Sequence, residues 1–244
     1  MRRDGLIRPV PELLKEHAES AARRIAYADS SRGVTYAELE RRTRALAGYL
    51  TRTGLRRGDR VAICLGNRVE AVESCLAVLR AGIVGVPLNP RSSDAELAHF
   101  LRDSGAAHVI TDAAHLAQLR RLGRPYDDLP VLVTGGGPAP DGDTQLFESV
   151  ARSDVGAAGI DLLGLDDPAW MLYTSGTTDR PKGVVLADGT RPRGRPRRPP
   201  DDDAGTRGDN GVGDPRLDRD DHGGGLVSGG DDLRLGYVWC GDAR

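Results

Sequence analysis

Residues 1–187 predict an α/β fold, with a mainly parallel sheet flanked by helices. Short apolar runs that suit strands alternate with longer stretches of helical periodicity. Two S/T-x-x-E capping boxes, Thr35–Glu38 and Ser93–Glu96, mark helix starts, because hydroxyl and carboxylate each satisfy a backbone amide there. Glycines, which tolerate the left-handed backbone of many helix ends, follow four predicted helices at Gly54, Gly82, Gly105 and Gly123.

The chain begins its regular structure with a predicted antiparallel hairpin, Ile25–Ala28 and Val34–Tyr36, joined by the polar turn 29–33. The first capping box then opens a helix. Its stripe recurs at spacings of four, three and four residues: Leu39, Thr43, Leu46 and Leu50.

Strands and helices then alternate. The apolar stripe of a middle helix consists of Val69, Val72, Leu76 and Leu79. The helix after the second capping box has Leu97, Phe100 and Leu101 on one face. A further helix is predicted from Ala113 to Leu122. The predicted strands are Val61–Leu65, Ile83–Leu88, His108–Thr111, Val131–Thr134 and Trp170–Thr174. Gly135–Pro138 and the region up to Asp161 are interpreted as a flexible crossing, and Asp166–Asp167 as a turn before Pro168.

Composition changes abruptly at residue 188. Gly, Asp, Arg and Pro supply 40 of the 57 residues from 188 to 244, and Lys, Glu and Ile are absent there. Burial of the few apolar side chains in this segment cannot offset the conformational entropy lost on ordering it. We therefore expect residues 188–244 to be a disordered tail. A second interpretation is a shift of the coding frame close to Ala187 or Asp188, because a GC-rich gene read out of frame yields this mixture.

Charge is balanced in residues 1–187, which hold 24 basic and 24 acidic residues. This balance gives no excess of basic residues of the kind that binds nucleic acid. The run Arg191–Arg198 could grip phosphates, but three aspartates follow it and no aromatic side chains interleave, which favours a solvated charge cluster.

Cysteine and histidine spacing indicates no metal site, because Cys64, Cys75 and Cys240 form no C-x-x-C pair and the five histidines form no ligand pair. Cys64 and Cys75 lie among apolar residues and are interpreted as core. No secretory leader is recognised in residues 1–20, and the apolar runs are shorter than a membrane helix requires. We therefore expect a soluble, cytoplasmic protein.

Residues 173–183 carry the strongest chemical signal in the chain: Tyr-Thr-Ser-Gly-Thr-Thr-Asp-Arg-Pro-Lys-Gly. Hydroxyl and glycine positions from Thr174 to Thr177 let backbone amides converge on an anion while side-chain hydroxyls donate to its oxygens. Lys182 adds positive charge. The segment is not a G-x-x-x-x-G-K-S/T loop, because Pro181 precedes the lysine and Gly183 follows it.

This segment resembles the phosphate-loop signature of the adenylate-forming superfamily, which includes acyl-CoA synthetases, luciferases and the adenylation domains of peptide synthetases. Ten of its eleven positions are identical or free, and Asp179 stands where the family usually has glycine or serine. The likeness extends over roughly Val10 to Leu186, with Gly58–Ala62 and Val86–Arg91 as supporting pieces. Asn89, where peptide-synthetase domains usually carry aspartate, looks more like the fatty-acyl and aryl CoA ligases.

The resemblance implies ATP and Mg²⁺ as cofactors, a small-molecule carboxylic acid as substrate and coenzyme A as a thiol co-substrate. It implies that the ATP phosphates contact Thr174, Ser175, Gly176, Thr177, Thr178 and Lys182. A carboxylate at Asp179 would repel a polyanion unless Mg²⁺ or Arg180 compensates.

The family's adenine-binding, ribose-binding and C-terminal lysine motifs are not found after Leu186. Three functional hypotheses therefore stay open: the N-terminal portion of a carboxylate-activating ligase, an inactive remnant of one, and a nucleotide- or nucleic-acid-binding module with an Arg-rich tail.

Overall fold

Alternating strands and helices build a three-layer α/β arrangement, seen in a computed structural model that describes residues 8–135, 144–153, 164, 166–174 and 181–187. The helices of this part of the chain are α1 (Val10–Ser20), α2 (Tyr36–Arg52), α3 (Val69–Arg80), α4 (Asp94–Ser104), α5 (Ala113–Arg121) and α6 (Phe147–Ala151). The strands are β1 (Ile25–Ala28), β2 (Gly33–Thr35), β3 (Arg60–Cys64), β4 (Val84–Pro87), β5 (His108–Asp112), β6 (Val131–Thr134), β7 (Thr144–Leu146), β8 (Pro168–Thr174) and β9 (Lys182–Ala187).

Seven strands form the main sheet, in the order β7-β6-β5-β3-β4-β8-β9. Strand β3 pairs in parallel with β4 and β5, and the parallel pairing continues through β6 and β7 on one side and β8 on the other. Only β9 runs antiparallel, against β8. The carboxyl ends of β3 to β8 therefore share one edge of the sheet. The predicted hairpin, β1–β2, forms a separate antiparallel pair.

Opposite faces of β3 support two apolar layers, because successive side chains of a strand point to opposite sides. Val61 and Ile63 pack with residues of α2, α3 and α6. Ala62 and Cys64 pack with residues of α4 and α5. This arrangement confirms the predicted α/β class and places the helices on both faces of a mainly parallel sheet.

Both predicted capping boxes are present. Ser93 Oγ accepts from the Glu96 amide at 3.3 Å while the Ser93 amide donates to Glu96 Oε2 at 2.8 Å, and Thr35 and Glu38 make the same reciprocal pair. All four predicted terminal glycines have positive φ, between 59° and 89°. The local signals for helix ends are thus confirmed.

Several parts of the fold differ from the sequence prediction, among them β9, which had no counterpart among the predicted strands. The region interpreted as a flexible crossing contains β7 and α6, and Phe147 of α6 is fully buried against the sheet. Tyr36 begins α2 rather than ending the hairpin strand, because its neighbour Thr35 is the N-cap. Helix α1 had no counterpart among the predicted elements. Residues 188–244, including the predicted disordered tail, the Arg191–Arg198 run and Cys240, lie outside the described residues.

Cys64 and Cys75 are buried, as predicted for core residues. Within the described ranges, His, Cys, Asp and Glu side chains form no group of three or more that could hold a metal ion. No helix in those ranges combines the length and apolarity that a membrane span needs.

Candidate functional site

The two ends of the predicted phosphate loop lie side by side on adjacent strands. Thr174 is the last residue of β8, Lys182 is the first residue of β9, and the two are register partners at the end of the antiparallel ladder. Both residues are exposed. The structure therefore brings together the first and last of the six predicted phosphate contacts. Ser175, Gly176, Thr177 and Thr178 lie outside the described residues and stay predictions, as does the effect of Asp179.

This pair of residues lies at the carboxyl edge of the parallel strands. Strand β8 runs parallel to β4, so Thr174 is at the same edge as the ends of β3 to β7. In open α/β sheets, ligands bind outside the carboxyl ends of the strands. The position of Thr174 and Lys182 agrees with that rule.

Helix α4 holds the residues that flank Thr174 and Lys182. Tyr173 Oη donates a hydrogen bond to Asp103 Oδ2 at 2.8 Å and approaches the Phe100 carbonyl oxygen at 3.3 Å. On the other strand, His99 Nε2 lies 3.1 Å from the carbonyl oxygen of Pro181, and since a carbonyl only accepts, the imidazole donates. Burial and then the Asp103 carboxylate raise the pKa of Tyr173, so the phenol stays protonated and donates.

The glycine that ends the signature makes room for the Met171 side chain. Gly183 is the register partner of Tyr173. A Cβ at Gly183 would collide with the Met171 side chain and lie 3.4 Å from Tyr173 Cζ. The side chains of Tyr173 and Met171 thus lie next to Gly183, on the side of the sheet that α4 covers.

The electrostatics of the two exposed ends favour an anion. In the described part of the chain, no carboxylate forms a salt bridge with Lys182. The Asp103 carboxylate of α4 accepts a hydrogen bond from the Tyr173 hydroxyl.

Asn89, the residue on which the CoA-ligase likeness depends, has a local structural role. Its Oδ1 accepts a hydrogen bond from the Arg91 amide at 2.9 Å, in the turn that follows β4. An aspartate oxygen would accept the same bond. The contact therefore gives no physical reason to prefer a CoA ligase over a peptide-synthetase domain.

His99 and Asp103 were not among the predicted site residues. They are four positions apart on α4, so both face the same way from the helix, and this spacing is visible in the sequence. What the sequence lacks is any sign that this helix face meets the β8–β9 hairpin. That contact depends on the strand order of the sheet.

The mainly parallel sheet with helices on both faces matches the N-terminal domain of the adenylate-forming enzymes. Residues 14–190 match the family described as AMP-binding enzyme. The chain belongs to that family.

Relatives and solved structures agree. The chain is 40% identical over 181 residues to naringenin synthase of Pestalotiopsis fici, covering 72% of this chain and 7% of that protein. It is 35% identical over 178 residues to 4-coumarate–CoA ligase-like 3 of Oryza sativa subsp. japonica, covering 69% of this chain and 30% of that protein. A benzoate CoA ligase from Burkholderia xenovorans LB400 superposes with a TM-score of 0.63 at 26% identity, covering 75% of this chain and 35% of that chain. The match thus spans about a third or less of each of these proteins.

Proposed function

We propose that this chain is the N-terminal portion of an ATP-dependent carboxylate-activating ligase, and that it binds the β- and γ-phosphates of Mg-ATP through the hairpin that begins at Thr174 and ends at Lys182. The observation that carries the proposal is the register pairing of these two residues at the carboxyl edge of the sheet. In the whole reaction, an acid would attack the α-phosphorus of ATP to give an acyl adenylate and pyrophosphate. A thiol such as coenzyme A would then accept the acyl group.

The residues of this chain would act by neutralising and orienting charge. A carboxylate and a triphosphate repel each other, so attack requires donors and cations fixed in advance around the phosphates. The Thr174 hydroxyl and the Lys182 ammonium would supply one hydrogen bond and one charge-assisted contact. The described residues offer no carboxylate cluster for Mg²⁺, which fits a metal that arrives on the triphosphate.

The proposed substrate class is a fatty or aromatic acid, with coenzyme A as acceptor. Its support is the likeness of the chain to a 4-coumarate–CoA ligase-like protein and to a benzoate CoA ligase. Asn89 adds no support, because its contact is a local one in its turn.

Calorimetry with Mg-ATP on the full chain tests the phosphate contact. We expect binding by the wild type, and a loss of affinity of about tenfold in Lys182→Ala, since a hydrogen bond to a charged group contributes about 1.5 kcal/mol or more. Thr174→Ala should lose about threefold. Asp179→Gly should bind more tightly than the wild type, because it removes a carboxylate from the neighbourhood of the phosphates.

The chain offers a matched control, because Lys15 and Lys182 are its only lysines. Lys15 lies on α1 and is not part of the phosphate signature. Mg-ATP should slow the acetylation of Lys182 but not of Lys15, as measured by peptide mass spectrometry. If saturating Mg-ATP leaves the acetylation rate of Lys182 unchanged, as it should that of Lys15, the proposed contact is refuted.

A second candidate is a family member that binds nucleotide without turnover. It is motivated by the abrupt change of composition at residue 188, directly after the phosphate signature. Exchange of labelled pyrophosphate into ATP, with a panel of fatty and aromatic acids, separates the two. Acid-dependent exchange supports the ligase, whereas Mg-ATP binding without exchange for any acid supports the second candidate.

A further inference from the structure

Helix α4 contacts the hairpin at both strands, and at equivalent places. Tyr173, which precedes Thr174, is bonded to Asp103, and Pro181, which precedes Lys182, is bonded to His99. The Tyr173 ring also packs on Phe100, with ring centroids 4.5 Å apart, and meets His99 edge-on at 6.3 Å. We call His99, Phe100 and Asp103 the α4 anchor.

The helix that carries the anchor is itself well fixed. It begins at a complete capping box, and Gly105 ends it in the left-handed conformation, with φ 59°. Leu97, Phe100 and Leu101 are buried in the layer between α4 and the sheet. Groups on such a helix are more rigidly placed than groups on a loop.

The hairpin has weaker attachments of its own. In the described ladder, β8 meets β4 at one register pair, Gly85 with Trp170, whereas β3 meets β5 at four. Strand β9 is the edge strand of the sheet, and Val184 and Val185 are exposed on it. Backbone pairing holds Thr174 beside Lys182, but the position of this open end relative to the parallel strands depends on side-chain contacts.

We propose that His99 and Asp103 are positioning residues for phosphate binding: the α4 anchor holds Pro181 and Tyr173 and thereby sets the orientation of Lys182 and Thr174 relative to the sheet. This inference rests on the proposed function of the hairpin. His99 contributes by donating Nε2–H to the Pro181 carbonyl, which requires the Nε2–H tautomer or the imidazolium. Asp103 contributes by accepting the Tyr173 hydroxyl proton.

Three variants of the full chain test the anchor. His99→Ala removes the donor, Tyr173→Phe removes the hydroxyl but keeps the ring, and His99→Gln keeps an N–H donor of similar reach. Arg102→Ala is the matched control, because Arg102 is exposed on the same helix and is not part of the anchor. Urea unfolding of each variant shows whether the domain keeps its stability.

Mg-ATP titration gives the first readout. We expect His99→Ala and Tyr173→Phe each to raise Kd by up to about fivefold, because a hairpin that has lost one ordinary hydrogen bond must be ordered again on binding. His99→Gln should recover most of the loss, which a purely steric role of the ring would not predict. Wild-type Kd in His99→Ala, at unchanged stability, would overturn the inference while leaving the proposed function intact.

Amide hydrogen exchange without nucleotide gives the second readout. Peptides covering residues 168–174 and 181–187 should exchange about tenfold faster in His99→Ala than in the wild type, and at the wild-type rate in Arg102→Ala. Unchanged exchange would overturn the anchor. If exchange rises but the wild type binds no Mg-ATP, the proposed function fails, and with it the role of the anchor in phosphate binding.

Discussion

A buried arginine joins three helices on one face of the sheet, and its removal should be costly. Arg42 of α2 donates from Nε to Glu73 Oε1 at 2.6 Å and from a terminal nitrogen to Oε2 at 2.9 Å. It also pairs with Glu148 of α6 at 2.6 Å. The Glu73 side chain, on α3, has no exposed surface. Burial alone would lower the pKa of Arg42, but its hydrogen bonds to Glu73 and Glu148 raise it, so the guanidinium stays charged.

Arg42→Met keeps the aliphatic volume but leaves the Glu73 carboxylate with one cation, Arg32, at 3.1 Å. Breaking a buried pair by removing one partner costs about 3–5 kcal/mol. Because Arg32 remains and Glu148 is 38% exposed to water, we expect the lower end, a loss of about 3 kcal/mol. Such a loss is a large part of the roughly 5–15 kcal/mol by which domains are stable.

Urea unfolding, followed by circular dichroism, measures the change in the free energy of unfolding, provided that the m-value is unchanged. The double variant Arg42→Met, Glu73→Leu is the control. It replaces the main buried pair by apolar groups and should lie within about 1 kcal/mol of the wild type. A single variant that loses less than about 1 kcal/mol, or a double variant less stable than the single one, would refute the assignment of the loss to an uncompensated buried charge.

Three further predictions concern other buried or capping positions. Burial lowers the pKa of His108 to about 4 from 6.5, so the unfolded chain binds more protons between these values. The free energy of unfolding should therefore fall by about 3 kcal/mol as pH drops from 6.5 to 4, and His108→Leu should remove that part of the slope in urea titrations. Gly85→Ala should cost about 1–3 kcal/mol by the same assay, since its Cβ would lie 2.6 Å from the Trp170 ring, whereas Gly66→Ala, with open space, should be nearly neutral. Ser93→Ala should lower the thermal midpoint by removing about 1 kcal/mol of capping, with Ser92→Ala as control.

Local signals in the sequence predicted local structure well. Capping boxes at Thr35 and Ser93 and glycines at four helix ends have physical causes within a few residues of chain, so they were confirmed. The order of the elements and the α/β class followed from them. The phosphate contacts of Thr174 and Lys182 stay a prediction, although these two residues are register partners.

Elements that depend on distant contacts were missed. Strand β7 has three residues, which are too few to show the alternation of apolar and polar side chains in a strand. It forms because it pairs with β6. Helix α6 has five residues, and its stability comes from burying Phe147 in the core and from the pair between Glu148 and Arg42. The anchor on α4 was missed for the same reason, since nothing near His99 in the chain points to Pro181, 82 residues away.

The proposed phosphate contact would therefore depend both on a sequence signature and on the fold around it. The signature supplies the hydroxyls and the lysine, and its glycine at 183 leaves room for the Met171 side chain. Yet the hairpin meets the parallel sheet through one register pair, where the Trp170 ring packs against the bare Gly85. Its open end is fixed by α4. Substitutions at Gly85 or on the α4 face that carries His99 and Asp103 should thus change phosphate affinity without touching the signature, because they move the two strands that present it.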